Sequence, residues 1–292
     1  METYLNHPLA PYTTVKIGGP ADTFIITNTT AEFIEALKKY QNVTILGNGS
    51  NVLISDSGIR GTVIKNMSNS IEYLPNNQVK VDSGVNLPLL ITDTINHSLS
   101  GLEEFAYIPS SIGGAIFGNI HGINKNNFDR FLTEIQVFDL EQSKTYSLKS
   151  NILKWSYDTS EFATKPNLII LSAIFQLTPG DADTSRQKVI DIITKKLQTQ
   201  SMNSLGSVFK NLPARTGHPA DFAGRIIDQE LNLKGFQIGD AQISPLHGNF
   251  ILNLGHATAA DYYAVVKKIQ SEAKSKLNIT LEPEIKFLGN FS

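Results

Sequence analysis

The segment GNGSN, residues 47–51, lies between two apolar runs and has the composition of an anion-binding turn. Gly47 and Gly49 carry no Cβ, so their backbone can adopt positive φ and approach a ligand closely. Successive N–H groups in such a turn form a concave anion site, to which Ser50 and Asn51 add neutral donors. The spacing matches neither nucleotide-binding glycine fingerprint, and by itself the segment is more typical of an ordinary β-turn.

A second glycine cluster, YIPSSIGGAIFGNIHG at 107–122, strengthens the anion-binding interpretation. Pro109 favours an extended backbone at its start, and Gly113 and Gly114 permit close backbone approach. The cluster predicts a short apolar helix whose N-terminus favours negative charge. Two such turns suit a diphosphate between two domains, as in a dinucleotide such as FAD bound without a Rossmann motif.

Composition narrows the class of protein. A chain of 292 residues exceeds what one core usually serves, so two or three domains are expected. The net charge of -2 gives no reason to expect nucleic acid or a membrane as a partner. The absence of cysteine excludes disulfides, thiol catalysis and thiolate metal ligands, and no metal site is predicted. With no signal-like segment and no long apolar stretch, a cytoplasmic location is expected.

The chain mixes strand and helix patterns without a regular βαβ repeat, so an α+β fold is predicted. Residues 1–66 alternate the two patterns, 71–178 are richer in strands, and 201–282 contain a helix, strands and a long final helix. Three helix starts show capping-box spacing: Thr29 with Glu32, Thr184 with Gln187, and Thr258 with Asp261.

Six segments in order carry a family resemblance. They are TTVKIGGPAD (13–22), LGNGSNVLISDSGIRGTVI (46–64), IPSSIGGAIFGN (108–119), GSVFKN (206–211), GFQIGDAQISPLHGNFILNLGHATAADY (235–262) and LEPEIKFLG (281–289). Together they resemble the UDP-N-acetylenolpyruvoylglucosamine reductases, over nearly the whole chain. The length fits the shorter subtype, which lacks an insertion in the third domain.

The resemblance implies a three-domain α+β protein: an FAD-binding fold of the vanillyl-alcohol-oxidase/PCMH type plus a C-terminal α+β substrate domain. The implied domains are 1–66 with 283–292, 67–200, and 201–282, with FAD between the first two and the UDP-sugar in the third. NADPH is the implied reductant and a monomer the default. The implied cofactor-binding residues are Gly47, Asn48, Gly49, Ser50, Asn51, Pro109, Ser110, Ser111, Gly113, Gly114 and Asn119.

The implied reaction requires hydride delivery to the terminal vinyl carbon and protonation of the adjacent carbon, with stabilisation of the enolate-like charge. Ser207 occupies the family position that supplies the proton, although a serine in a Gly-Ser turn is by itself unremarkable. A serine hydroxyl is a weak acid, so it depends on a positioned geometry. Lys210 and Asn211 follow closely and favour a substrate phosphate or carboxylate.

Glu284 matches the acid that the family carries near its C-terminus. Pro283 favours extended backbone at Glu282, and the period of two then puts Glu282 and Glu284 on one face. Geometry alone leaves both glutamates open, and a solvated edge-strand glutamate is the commoner case. The resemblance selects Glu284.

Asp158 departs from the family pattern. The segment WSYDTSEF places it where the family has an arginine that holds the substrate carboxylate. A carboxylate there reverses the sign of the interaction, so weakened activity and a gain from Asp158→Arg are expected. The sequence leaves open whether another arginine fills the role; the candidates are Arg60, Arg130, Arg215 and Arg225.

Two histidines lie in the segments that carry the resemblance or next to them. His121 falls close to where the flavin is expected, and local packing is favoured over covalent flavin attachment; His247 is interpreted as structural. Because of Asp158, a divergent flavin oxidoreductase with a changed acceptor is one alternative. A non-catalytic FAD- or UDP-sugar-binding module is the other.

Overall fold

The computed structural model describes residues 1–124, 126–201, 203–213 and 222–291, and it has the predicted α+β composition. The chain divides into two compact units. The first comprises Met1–Tyr4, Thr23–Asn48 and Thr62–Lys195, and the second comprises Leu5–Asp22, Gly49–Gly61 and Lys196–Ser292. The three domain boundaries implied by the resemblance stay a prediction.

The elements are numbered along the described residues. Strands β1 to β18 are Glu2–Pro8, Pro20–Thr27, Val43–Leu46, Val52–Ile54, Ile59–Asn66, Ile71–Leu74, Gln78–Asp82, Leu99–Ser100, Leu132–Asp139, Lys144–Lys149, Trp155–Ser156, Thr159–Ser160, Leu168–Gln176, Thr178–Pro179, Gln237–Ile238, Ala241–Ile243, Ile251–Asn253 and Lys286–Leu288. Helices α1 to α6 are Thr30–Lys39, Leu87–Asn96, Ile112–Gly118, Ala182–Leu197, Ala223–Arg225 and Ala259–Leu277. Short 3₁₀ turns span Ala10–Tyr12, Glu103–Phe105, Phe128–Phe131, Ser150–Ile152 and Glu161–Ala163, and a π turn spans Ile226–Glu230.

The first unit contains a five-stranded antiparallel sheet in the order β10-β9-β13-β7-β6. Helices α2 and α3 bury apolar side chains in the same core as the inward residues of this sheet, among them Leu90, Ile116 and Phe175. A four-stranded sheet has the order β1-β2-β5-β3, with β3 parallel to β5. Its residues Ile25 and Ile64 share a small core with Phe33 of α1, and the predicted glycine turn follows the last residue of β3.

The second unit is built on α6 and the antiparallel sheet β15-β16-β17. Tyr262, Val266 and Ile269 of α6 are fully buried in its core, because they recur on one helical face. In the described residues, no helix is both long and apolar enough to span a membrane.

Two of the three predicted helix starts are confirmed. Thr29 Oγ1 accepts from Glu32 N at the start of α1, and Thr258 and Asp261 form a full capping box on α6. The prediction for Thr184 is wrong. Asp181 precedes α4 and its Oδ1 accepts from Thr184 N at 2.8 Å, so the carboxylate takes the capping role one turn earlier.

Asp56 fixes the start of α6. Its carboxylate accepts from Ala259 N at 2.8 Å and from Ala260 N at 2.9 Å, while Thr258 Oγ1 accepts from Asp261 N. Three N–H groups that lack partners within the helix are therefore satisfied, and the negative charge lies at the positive end of the helix dipole. This contact joins the turn after β4 to the helix that carries most of the second core.

We predict that Asp56→Ala lowers the free energy of unfolding by about 1–3 kcal/mol, because two N–H groups lose a charged acceptor. Asp56→Asn, which keeps one acceptor oxygen, loses less. Glu141→Ala, at an exposed turn position, serves as the control. Urea unfolding of the variants measures the effect, and an Asp56→Ala curve that overlays the wild type would contradict this account of the α6 start.

Candidate active site

The C-terminal segment of the second unit is paired by its backbone with the segment that carries Ser207. Lys210 N donates to Glu282 O at 3.0 Å, and Glu284 N donates to Val208 O at 2.8 Å. Residues separated by more than 70 positions in sequence thereby become antiparallel neighbours. The two predicted catalytic residues lie on these paired segments.

The same segment continues into β18, which pairs in parallel with β4. Lys286 N donates to Asn51 O at 2.9 Å, and Asn51 Nδ2 donates to Glu284 O at 3.4 Å. Glu284 therefore lies between the Ser207 segment and the end of the glycine turn. The structure brings together Ser207, Glu284 and Asn51.

Asn249 holds the Ser207 segment from its other side. Its carbonyl accepts from Val208 N at 2.9 Å, and its side chain accepts from Phe209 N at 2.9 Å and donates to Phe209 O at 2.8 Å. Val208 and Phe209 are fully buried, whereas Ser207 is partly exposed. Within the described part of the chain, the Ser207 hydroxyl makes no hydrogen bond, so it is available to a ligand.

A cavity of about 380 Å³ opens beside Ser207 in the second unit. Asn211, Arg225, His247 and Asn249 contribute to its lining. It therefore combines hydroxyl, amide, imidazole and guanidinium groups, which together can bind a polar anionic ligand.

The two predicted substrate-binding residues occupy different positions. Asn211 lines the cavity, and its Oδ1 accepts from Ala223 N at 3.0 Å, which ties the start of α5 to the cavity wall. Lys210 forms an ion pair with Glu282 at 2.5 Å. Glu282 is therefore the solvated glutamate of the pair that sequence geometry left open, with an exposed side chain.

His247 is a cavity residue as well as a structural one. Its Nδ1 accepts from Asn249 N at 3.2 Å, and its ring packs edge-on to Phe250 at 4.7 Å. Burial lowers the pKa of His247, and Lys196 and Lys234 lower it further. The imidazole is therefore neutral at neutral pH, with Nε2 carrying the proton. Sequence reasoning missed that His247 lines the cavity. The polar residues of SPLHGNF were the available signal, but the sequence does not show which of them the folded turn directs to the cavity.

Gly49 is required by the turn of which it is part. Its φ is +63°, and an added Cβ would lie 2.3 Å from Tyr12 O. Its own carbonyl accepts from Thr14 N at 3.2 Å. The prediction of positive φ is confirmed for Gly49, and the close approach that it permits here is to Tyr12; its approach to a ligand stays a prediction.

The first unit brings Gly47 and the second glycine cluster together. A Cβ on Gly47 would lie 2.6 Å from Ser111 Oγ, and one on Gly114 would lie 3.0 Å from Ser110 Oγ. Ser111 also caps α3, accepting from Gly114 N at 3.3 Å. A small surface of glycine backbone and serine hydroxyls results, which is the composition that the sequence predicted for a diphosphate.

The start of α3 differs from the expected anion site. Ile112 N donates to Val85 O at 2.9 Å and Gly113 N donates to Ser83 O at 2.8 Å. With Gly114 N bonded to Ser111, the first N–H groups of this short helix already have protein acceptors. The expectation that they present free donors to an anion is wrong, because neighbouring loops of the same unit take them.

Lys65 is a residue that sequence reasoning missed. It lies on β5 and is only 8% exposed, yet its Nζ donates to Gly47 O and, at 3.4 Å, to Asn48 Oδ1. Burial lowers its pKa to about 8. A buried cation at the predicted diphosphate turn is consistent with an anionic ligand there, so the residues present fit FAD.

Asp158 and His121 form a pair. His121 Nδ1 donates to Asp158 Oδ1 at 2.7 Å, and the Tyr157 ring stacks on the imidazole at 4.6 Å with its Oη 3.2 Å from Nε2. Asp158 lies in the turn between β11 and β12 with a φ of +53°. Asn119 Nδ2 donates to Ser156 O at 3.0 Å and so joins this hairpin to the end of α3.

The candidate arginines are in different surroundings. Arg60 forms an exposed ion pair with Asp22 at 2.7 Å, and Arg130 donates to Asn126 Oδ1. Arg225 lines the Ser207 cavity and forms an ion pair with Glu230 at 2.9 Å. Arg215 lies outside the described residues. Of the three described, Arg225 is the one that shares a cavity with Ser207.

Comparison with known proteins gives concordant matches. The family model for the UDP-N-acetylenolpyruvoylglucosamine reductase C-terminal domain matches residues 197–288, and the FAD binding domain model matches 21–146. UDP-N-acetylenolpyruvoylglucosamine reductases of Bacillus pumilus and Listeria monocytogenes are 36% and 37% identical, covering 97% and 98% of this chain and 93% and 94% of their own lengths. The crystal structure of the Thermus caldophilus enzyme matches with a TM-score of 0.82 at 30% identity, covering 99% of this chain and 98% of that one.

The buried Lys65 gives a pH prediction for the FAD-free protein. Its pKa is about 8 in the folded chain and 10.5 in the unfolded chain, so between these values the unfolded state binds more protons. Folding stability attributable to Lys65 therefore rises with pH across this window, by up to about 3 kcal/mol. We expect the free energy of unfolding of wild type, measured relative to Lys65→Met, to increase over that range. Parallel pH profiles for the two proteins would contradict the burial of a titrating ammonium.

Proposed function

Because this chain belongs to the UDP-N-acetylenolpyruvoylglucosamine reductase family, we infer that it is an FAD-containing oxidoreductase of peptidoglycan precursor synthesis. It reduces UDP-N-acetylglucosamine enolpyruvate to UDP-N-acetylmuramate with NADPH. The observation that supports this proposal is the backbone pairing that makes the segments of Ser207 and Glu284 neighbours, together with the polar cavity that Ser207 lines.

FAD, when bound, supplies the hydride that originates from NADPH. We assign its diphosphate to the glycine turn 47–51 and to Ser110 and Ser111, where glycine backbone and hydroxyls meet. The remaining predicted residues shape this surface, and we do not assign backbone N–H donors of α3 to the cofactor. These residues are Pro109, Gly113, Gly114 and Asn119. Gly113 packs closely on Ser83, since an added Cβ would lie only 3.1 Å from Ser83 Cβ.

We assign Ser207 as the group that delivers the proton to the substrate carbon. Its hydroxyl is partly exposed and makes no hydrogen bond in the described residues, while Val208 and Phe209 hold its backbone rigidly in the core. A serine donates a proton effectively only where its oxygen is fixed at the reacting carbon and negative charge has developed there. The buried neighbours Val208 and Phe209 support this assignment, because they fix the position of the Ser207 oxygen.

Glu284 is assigned as the second catalytic residue, which acts on the negative charge that develops on the enolpyruvyl carboxylate. The pairing of Glu284 N with Val208 O sets its backbone against the Ser207 segment. Glu282, exposed and paired with Lys210, is assigned no part in the chemistry.

The cavity beside Ser207 is assigned to the UDP-sugar. Arg225 and Lys234 line it as members of ion pairs, with Glu230 at 2.9 Å and with the cavity residue Asp228 at 3.0 Å, and Asn211 and Asn249 bring amide groups. A sugar diphosphate carries negative charge and many hydroxyls, so this mixture of cations and amides is suited to it. Arg225, which lines the cavity, is the second candidate for the cationic role that Asp158 does not fill, and the Asp158 variants described below distinguish a vacant role from one that Arg225 already fills.

Two further features of the protein belong to this proposal. We place the reaction in the cytoplasm, because its reductant is NADPH and the chain has no cysteine that an oxidising compartment would pair. A monomer is proposed as the working form. The changed-acceptor alternative rests on Asp158, and no contact in the described residues favours it or the non-catalytic binding module.

We predict that Ser207→Ala leaves flavin reduction by NADPH nearly unchanged and slows flavin reoxidation by the enolpyruvyl substrate by at least about 100-fold, because the hydroxyl acts only after hydride leaves the flavin. Stopped-flow traces of each half-reaction measure this. Ser271→Ala, at an exposed position on α6, is the control. Equal slowing of both half-reactions would remove Ser207 from the proton-donor role.

We predict that Asp158→Arg by itself raises turnover little. The new guanidinium takes the place of the carboxylate that accepts from His121, so it lies against the imidazole with no acceptor between them. Combined with His121→Ala, it should raise turnover by about 10- to 1,000-fold, the range for one preorganised electrostatic group. The gain appears in turnover more than in KM, because the charge develops in the transition state.

Steady-state kinetics on both variants measure this effect, with Thr159→Arg as a control that adds the same charge to a neighbouring exposed position. A wild type that turns over briskly, with a double variant no faster, would show that another cation already fills the role. Arg225→Ala would then be the variant expected to lose turnover.

A further inference from the structure

Lys65 lies at a position from which a cation can reach the glycine turn. It is opposite Leu46, the last residue of β3, in the parallel pairing of β3 and β5. The turn begins at the next residue, so the lysine side chain extends past the strand end to Gly47 and Asn48. Its Nζ donates to Gly47 O and to Asn48 Oδ1, and the residue is 8% exposed.

The charge of Lys65 has no opposite charge beside it. Both of its acceptors are neutral, and no carboxylate among the described residues forms an ion pair with it. Burial alone accounts for the lowering of its pKa to about 8. Keeping a cation out of water without an anion is unfavourable, and an apolar side chain of similar length fits a strand interior better.

The surroundings of the ammonium identify the missing partner as an anion at the turn. Gly47, whose carbonyl it binds, has its Cα beside Ser111 Oγ, where an added Cβ would lie 2.6 Å away. An ammonium, a hydroxyl and side-chain-free backbone therefore meet at one place. An ammonium has three N–H groups, of which Gly47 O and Asn48 Oδ1 accept two, so one remains for a ligand.

We propose that Lys65 is a cofactor-binding residue, whose ammonium, held beside Gly47 and Asn48, provides the positive charge that offsets the FAD diphosphate. This inference rests on the proposed function, since it takes FAD as the ligand. It adds a charged group to a site whose other residues are neutral. In the FAD-free protein the same charge has no anionic partner and lowers the free energy of unfolding.

A purely structural lysine would behave differently. If Lys65 only held the turn through Gly47 O, its loss would weaken the FAD-free protein and FAD binding together. If its charge offsets the diphosphate, its loss weakens FAD binding while the FAD-free protein keeps or gains stability. The two cases are separated by measuring both quantities on the same variants.

The experiment uses the full chain with its flavin removed, in wild type, Lys65→Met, Lys65→Arg and Lys144→Met. Lys144 is an exposed strand lysine of the same unit and controls for the loss of one positive charge. FAD affinity is measured by quenching of flavin fluorescence, and the midpoint of thermal unfolding is measured with and without FAD. Lys65→Gln, which removes the charge but keeps a polar head group, is measured beside Lys65→Met in every comparison.

We expect Lys65→Met to bind FAD about 10- to 100-fold more weakly, with an unchanged or higher unfolding midpoint when FAD is absent. Lys65→Arg, which keeps the charge, stays within a few-fold of wild type, and Lys144→Met binds as wild type does. The proposal is overturned if Lys65→Met binds FAD as wild type does, if the arginine variant is as weak as methionine, or if the FAD-free methionine variant is destabilised. A wild type that binds no FAD would instead overturn the proposed function itself.

Discussion

Two backbone hydrogen bonds of the second unit carry the account of catalysis: Lys210 N to Glu282 O, and Glu284 N to Val208 O. They pair the C-terminal segment with the segment after α4, and without them Ser207 and Glu284 would lie on unrelated loops. Backbone pairing positions residues more firmly than side-chain contacts do, because both strands are held along their length. Asn249 adds three hydrogen bonds on the opposite side, and the buried Phe209 anchors the pair in the core.

The same constraint extends to the predicted cofactor turn. Beyond Glu284 the segment becomes β18, whose Lys286 N donates to Asn51 O. A single extended segment thus carries the proposed acid and completes a strand pair beside the turn. The Asp56 carboxylate, four residues after the β4 strand begins, then fixes the start of α6, so that the turn, the acid and the long helix share one framework.

The sequence predicts those features that depend on local backbone chemistry. Gly49 needs its positive φ, Thr29 and Thr258 cap their helices, and strand and helix patterns give the α+β class. Local signals can also compete, since Thr184 loses its capping role to Asp181, three residues earlier. Features that depend on contacts between distant segments were not predictable: the N–H groups at the start of α3 are taken by Ser83 and Val85. Lys65, read in sequence, is an ordinary strand lysine.

The departures from the family pattern have a local explanation. Asp158 and His121 both differ from the residues that the family resemblance leads one to expect. They contact each other, so the two differences belong to one interaction. The contact satisfies Oδ1 of Asp158, whereas its Oδ2 is buried and has no hydrogen-bond partner among the described residues. Arg225, the last residue of α5, lines the Ser207 cavity, where its guanidinium pairs with Glu230.

The central claim is that the chain transfers two electrons and a proton from NADPH, through FAD, to an enolpyruvyl ether on a UDP-sugar. The most direct test incubates the FAD-loaded protein with NADPH and UDP-N-acetylglucosamine enolpyruvate, and follows both nicotinamide absorbance and the sugar by mass spectrometry. The account predicts NADPH oxidation that depends on the sugar, with one product heavier by two hydrogens for each NADPH consumed. NADPH oxidation that is indifferent to the sugar, with the sugar recovered unchanged, would contradict it.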